Sequence, residues 1–374
     1  MNKALQPTAK SVTRFAKIRK TSAILSSAER GVKLHGDTVE NLKEYPISLH
    51  EIYKAKKVVS AYMKPSPLIK YDSLSRLLGC EVYVKHENQN ITGSFKIRGG
   101  INIMSHLKKA KVNGVVTFST GNHGLSVATS AKLFDIPAIV VVPVGSNPVK
   151  IELIKRAGAE VIEAGENFDE AAKVVADINE TKGYYYVHPA NEPLVVNGVG
   201  TEFLEIIEEI PDVDTVILPL GGGSEVASGI SVLKSISPQI SIYAVQAELS
   251  SAAYQSWCSK KIVESSNQTF AGGFATGTAY DTTFNIYRDK LDDFILLSEQ
   301  EILQGIALAA HHTKNLVEGA GSSTIMAAWK LREKLVGKKV VLQFSGSNAS
   351  PDELTKACEL SSFRDGKIIL ESVE

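Results

Sequence analysis

The chain has 374 residues, 44% hydrophobic and 22% charged, with 41 basic and 41 acidic side chains and a formal net charge of zero. That length is enough for two packed domains with a sizeable core, and the balanced charge gives no electrostatic reason to expect nucleic acid or an anionic membrane as a partner. Cys80, Cys258 and Cys358 lie far apart with no CxxC spacing, which argues against a disulfide framework or a structural zinc and suits a reducing compartment.

Residues 1–28 contain Lys3, Lys10, Arg14, Lys17, Arg19 and Lys20 among several Ser and Thr, with no acid before Glu29. This reads first as a solvated tail or an extra surface helix and second as an organellar transit peptide. There is no secretory h-region, and no apolar run approaches the roughly 20 residues of a membrane span. Residues 49–62 then predict a helix that the prolines at 65 and 67 stop, 82–85 a strand, and 95–107 a helix. From residue 114 the pattern becomes regular. Strands are expected at 114–119, 138–143, 160–163, 184–187, 215–220, 240–246 and 339–344. Helices are expected from 122 to about 134, and at 149–157, 169–182, 193–209 and 225–236. Apolar strands alternating with amphipathic helices imply an α/β fold with parallel sheets covered on both faces. Ligands of such folds sit at the C-terminal ends of the strands.

Three small-residue loops follow predicted strands: Ser119-Thr120-Gly121-Asn122-His123-Gly124, Gly221-Gly222-Gly223-Ser224 and Ser345-Gly346-Ser347-Asn348. The second can turn successive N–H groups toward an anion at a helix N-terminus. It is neither GxGxxG nor a P-loop, so a dinucleotide or nucleoside triphosphate is not favoured. On its own it also satisfies a tight βα turn and nothing more. Lys96 opens a helix after Gly93-Ser94-Phe95; alone it is an ordinary helix lysine, yet its surroundings permit close approach of a flat ligand and the desolvated amine that carbonyl chemistry needs. Asn122 and Ser345 each have a turn or cap reading as well as a donor reading. His123 is set below a structural role, and the adjacent His311 and His312 read as packed or solvated, with no metal spacing. GxSxG and HExxH are both missing.

Taken together and in order, residues 83–99 (YVKHENQNITGSFKIRG), 119–124 (STGNHG), 187–193 (VHPANEP), 220–224 (LGGGS) and 345–348 (SGSN) closely resemble the fold-type II pyridoxal-5′-phosphate enzymes, tryptophan synthase β-like in fold. Within that group the chain looks like the threonine/serine dehydratase and serine racemase family. Residues 197–205 and 252–257 are similar to a branch containing phenylserine and hydroxyectoine-utilisation dehydratases. The resemblance implies Lys96 as the Schiff-base lysine, Phe95 against the ring and Asn122 at the 3′-hydroxyl. It implies a phosphate held by Gly221, Gly222, Gly223 and Ser224, Ser345 at the pyridine nitrogen, and a substrate carboxylate in the loop of Ser119, Thr120, Gly121, Asn122 and His123.

The implied activity is elimination of water from a β-hydroxy L-amino acid, threonine or serine first, to give a 2-oxo acid and ammonia. A bulkier 3-hydroxy amino acid such as phenylserine, or serine racemisation, is the alternative. Thr120 stands where racemases of the family carry a serine, and Gln246 and Ala252 stand where metal-dependent members carry acidic ligands. Racemisation is therefore the lesser expectation, and a divalent-cation site is not expected. The stretch after residue 348 is too short for the regulatory domain of biosynthetic relatives. The domain expectation is a basic extension over 1–40, a large domain from 41–113 and 191–350, a small domain over 114–190, and a tail over 351–374. A cytoplasmic homodimer acting on a free amino acid, with no membrane or nucleic-acid partner, is the default, with organellar import as the alternative.

Overall fold

The computed structural model describes residues 39–165 and 168–369; the basic stretch at 1–28 lies outside them. Val39–Leu42 forms one helical turn in an N-terminal unit that ends at Tyr45, and the remainder concerns the compact unit that begins at Pro46.

Two sheets organise this unit. The larger runs β1-β2-β10-β7-β8-β9, built from Leu68–Lys70 (β1), Glu81–Lys85 (β2), Thr215–Pro219 (β7), Ser241–Ala247 (β8), Asp293–Leu297 (β9) and Lys339–Gln343 (β10). The smaller runs β5-β4-β3-β6, built from Val115–Phe118 (β3), Ala138–Val142 (β4), Glu160–Glu163 (β5) and Tyr185–Tyr186 (β6). All pairings are parallel except the edge pair β1–β2, where Leu68 faces Lys85 in antiparallel register. The parallel strands are apolar on both faces because helices cover both. Every residue of β4 (AIVVV) and of β7 (TVILP) is buried. Around the large sheet one core cluster gathers Val82, Val84, Val340 and Leu342, and a second, on the other face, gathers Val216, Leu218, Ile242 and Val341.

The helix expected over 193–209 is two helices, Pro193–Val199 and Thr201–Glu209. They meet at Gly200, where a Cβ would lie 2.7 Å from the Ile52 side chain, so the backbone of this segment packs directly on the Leu49–Val59 helix. The segment expected as a tail carries two further helices, Pro351–Glu359 and Ser361–Asp365. Ala357, Leu354, Leu360 and Phe363 pack there against Ile306 and Ala307 of the Glu299–Thr313 helix. The same contact accounts for the two adjacent histidines. A ring nitrogen of His311 bonds Phe363 O at 2.9 Å, and one of His312 bonds Gly366 O at 2.9 Å.

Candidate active site

The C-terminal ends of β3, β7 and β10 and the N-terminus of the Lys96–Lys109 helix open onto one cavity of about 910 Å³. Its lining brings together every residue singled out from the sequence: Phe95, Lys96, Ser119, Thr120, Gly121, Asn122, His123, Gly221, Gly222, Gly223, Ser224 and Ser345. Lys96 is held there by its own loop. Gly93 takes a positive φ of 69°, and a Cβ on it would meet Ser347 Oγ at 2.9 Å, so the loop can lie flat on the segment after β10. The Phe95 N–H donates to Ser345 O at 3.0 Å and the Ser347 N–H to Gly93 O at 2.8 Å. These bonds tie the lysine loop to the Ser345 loop as a unit.

Lys96 is half-buried; its Nζ donates to Ser224 Oγ at 2.9 Å and lies 4.6 Å from the Phe95 ring centroid. Burial pulls its pKa down to about 8, against the opposing pull of Glu225, Glu202 and Glu318. An amine so placed is available in its neutral form near physiological pH, as a carbonyl-condensing lysine must be.

The glycine loop is a cradle that side chains would fill. A Cβ on Gly221 would lie 2.0 Å from Gly273 O, and Gly223 has φ +85° with Thr283 immediately behind it. Among the described residues, the N–H groups of Gly221, Gly222, Gly223 and Ser224 make no hydrogen bond. They precede the Ser224–Ile236 helix, so the positive end of that helix adds to their field. Four unbonded N–H groups beside a desolvated amine meet the needs of a phosphorylated aldehyde, and the residues present fit pyridoxal phosphate.

The β3 loop also presents unbonded backbone N–H groups to the cavity. Ser119 Oγ accepts the Gly121 N–H at 3.2 Å, while the N–H groups of Thr120, Asn122 and His123 make no hydrogen bond among the described residues. The His123 side chain turns away from chemistry. Its Nε2–H donates to Val187 O at 3.0 Å, and burial first, then the Lys96 charge, drives its pKa down to about 3. Neutral and bonded, it is a structural histidine that brings its backbone N–H to the loop.

Two acids escaped the sequence reading. Glu318 accepts from Asn122 Nδ2 at 2.7 Å, and Asn122 Oδ1 accepts from Asn348 Nδ2 at 2.6 Å. Burial raises the Glu318 carboxyl to about 7, with the Asn122 bond acting the other way. Glu225 follows the glycine loop directly and lines the same cavity. Phe118, His188, Tyr280, Gly272, Gly273 and residues 275–278 also line the cavity. His188 Nδ1 accepts from Ala190 and Asn191 N–H at 2.9 and 2.8 Å, with Tyr280 edge-on at 5.2 Å. Gln246, by contrast, uses its side-chain oxygen to accept the Tyr254 N–H at 3.1 Å in the first turn of the Ala252–Ser259 helix.

Residues 59–346 match the family described as pyridoxal-phosphate dependent enzymes. The chain is 35% identical to an L-threonine ammonia-lyase of Geobacter sulfurreducens over 314 residues, covering 83% of this chain and 78% of that protein. It is 36% identical to a catabolic L-threonine dehydratase of Staphylococcus aureus, covering 83% of this chain and 92% of that protein. Among solved structures, maize serine racemase superposes with a TM-score of 0.79 at 28% identity, over 84% of this chain and 97% of that one. A tomato threonine deaminase superposes with a TM-score of 0.77 at 29% identity, over 84% of this chain and 95% of that one. Because the family match runs through both sheets and through every position from Lys96 to Ser345, the chain belongs to the pyridoxal-phosphate dependent enzymes.

Proposed function

We propose that this protein is an ammonia-lyase that converts a β-hydroxy L-amino acid, L-threonine or L-serine first, into the 2-oxo acid and ammonia. The observation that carries the reading is the Lys96 amine inside the cavity, bonded to Ser224, the last member of the open N–H cradle. The names of the relatives above choose the reaction.

When bound, the cofactor supplies a carbonyl for the substrate amine and a conjugated ring that takes up electrons as the Cα–H bond breaks. Gly221, Gly222, Gly223 and Ser224 would hold its phosphate by backbone N–H groups, Phe95 would lie against its ring, and Asn122 and Ser345 would serve the 3′-hydroxyl and the ring nitrogen. The N–H groups of the Ser119–His123 loop receive the substrate carboxylate, so that Cα presents its hydrogen to Lys96 Nζ. Lys96 Nζ would be the general base for that proton. Ser345 would stand at the ring nitrogen with a neutral hydroxyl and bring no charge to it. Thr120 adds a methyl on the opposite face of Cα and disfavours racemisation.

The two sheets fit a large domain from 41–113 and 191–350 and a small one over 114–190, and we read the active species as a cytoplasmic homodimer. Among the described residues no helix is long and apolar enough to cross a membrane. A screen of 2-oxo acid release from threonine, serine, phenylserine and hydroxyaspartate tests the reading. Turnover of threonine or serine is expected, and production of D-serine without 2-oxo acid would replace elimination by racemisation.

A further inference from the structure

Beside the lysine loop, a run of side-chain amides leads from a backbone carbonyl into the cavity. Asn348 Nδ2 donates to Thr92 O at 2.9 Å and to Asn122 Oδ1 at 2.6 Å. Asn122 Nδ2 donates in turn to Glu318 Oε1 at 2.7 Å. The run joins four stretches of chain: the loop before Lys96, the start of the Asn122–Leu133 helix, the residue before the Gly319–Lys330 helix and the segment after β10. Thr92 is buried, and the Asn348 amide lies on Gly93, where a Cβ would come within 3.0 Å of Asn348 Oδ1.

The direction of these bonds is set by chemistry at one end. A backbone carbonyl only accepts, so the Asn348 atom beside Thr92 O is the amide nitrogen; turned over, the amide would set two oxygens together. That nitrogen has two N–H groups, and the second meets Asn122, whose facing atom must then be oxygen. The Asn122 nitrogen is thereby directed to Glu318, a buried acceptor that is itself tied down, its N–H donating to Gly346 O at 3.0 Å. One Asn122 N–H is spent on Glu318, and the other remains for a ligand in the cavity that both residues line. Burial lifts the Glu318 carboxyl to about 7, so the acid changes charge near neutrality, yet protonated or not it keeps an oxygen that accepts from Asn122.

We propose that Asn348 and Glu318 are positioning residues that lock the Asn122 amide in one sense, so that it donates to, and never accepts from, an oxygen on a ring bound beside it. A donor stabilises that oxygen in its ionised form, whereas a flipped amide would present a carbonyl and stabilise the neutral hydroxyl. The lock therefore sets the ionisation of the ring oxygen, and with it the electronic state of the conjugated ring. The inference rests on pyridoxal phosphate lying with its 3′-oxygen at Asn122, but not on the identity of the substrate.

The test reads the spectrum of the bound cofactor rather than turnover. In full-length protein loaded with pyridoxal phosphate, the ionised ring oxygen absorbs at longer wavelength than the neutral hydroxyl, and the ratio of the two bands does not depend on how much cofactor is bound. Asn348→Ala removes the donor that fixes the Asn122 oxygen, and Glu318→Leu removes the acceptor that fixes its nitrogen. Each should lower the ratio by roughly fivefold, the weight of one hydrogen bond. Glu318→Gln keeps an acceptor of the same reach and should hold the ratio at or above the wild-type value. An unchanged ratio in Asn348→Ala, or a fall in Glu318→Gln equal to that in Glu318→Leu, overturns the proposal. Should the variants not fold, neutron diffraction from wild-type crystals decides, since nuclear density separates nitrogen from oxygen. Nitrogen on the Glu318 side of the Asn122 amide is expected, and oxygen there contradicts the lock even in cofactor-free protein. A wild type that shows neither band on addition of pyridoxal phosphate would instead sink the cofactor reading, and the neutron map alone would then decide the lock.

Discussion

Glu318 shows what a single residue can hide in a sequence. Its bond to Asn122 spans 196 positions, and a glutamate between Val317 and Gly319 carries no local signature of a site. Lys96, Asn122 and Ser345 were legible only as members of an ordered set; alone, each had a commoner turn, cap or surface reading. Because burial brings the Glu318 carboxyl to about 7, the acid changes charge across neutral pH while bonded to the residue read as the 3′-hydroxyl partner. The profile of kcat/KM in wild type should therefore show an ionisation near neutrality that Glu318→Gln removes, and a profile unchanged by the substitution would exclude a role for this acid. At Thr120 the crowding argument makes a separate forecast: Thr120→Ser should raise the D-serine yield measured by chiral chromatography, and an unaltered yield would discard it.

Among the elements, the apolar parallel strands were readable because continuous burial leaves an unmistakable run, as in β4 and β7. The three residues of β1 are too few to show a period, and its antiparallel pairing at the sheet edge has no signal in an α/β alternation. Gly200 was hidden for a different reason. A glycine inside a helical pattern is tolerated, and what this one permits is the close approach of the Ile52 side chain, a contact set by tertiary packing.

The glycine loop was legible as a loop, but its necessity is a matter of what lies behind it. Gly221 faces the carbonyl of Gly273, which is backbone and cannot swing aside, and the loop of residues 272–278 forms part of the cavity wall. Gly221→Ala should consequently displace the cradle and weaken pyridoxal-phosphate binding by at least about tenfold in an absorbance titration. Affinity equal to wild type would show that this loop does not hold the phosphate.

Across the whole molecule, the Arg98 cluster links β2's outlet, the Lys96 helix and the Thr201–Glu209 helix into one buried electrostatic knot. Removing Arg98 leaves the buried Glu87 carboxylate without a cation and Glu205 with Lys85 alone, so Arg98→Met should cost roughly 3–5 kcal/mol, read as a lower midpoint in urea. The same knot sets an acid limit. Burial by itself pushes the Glu87 carboxyl up, but the Arg98 charge and bonds outweigh it and hold the group down to about 2. A carboxyl depressed in the folded state stabilises the fold above its unfolded value, and that contribution is lost as pH falls from there through about 2. Glu87→Gln should flatten the acid limb of the stability curve; an identical limb would place the acid sensitivity elsewhere. Lys85, Glu87 and Arg98 all stand in the 83–99 motif, but their pairing with Glu205 was not visible in the sequence, because it spans 107 positions.

The central claim is that Lys96 in this cavity binds pyridoxal phosphate and drives elimination of a β-hydroxy amino acid. Wild type and Lys96→Ala, each saturated with pyridoxal phosphate, can be compared for 2-oxobutyrate release from L-threonine and for the visible band of the lysine Schiff base. The account predicts the band and steady 2-oxobutyrate release in wild type, and loss of both in Lys96→Ala. Full activity in Lys96→Ala, or a wild type that forms the band yet releases no 2-oxo acid from any β-hydroxy amino acid tried, would contradict it.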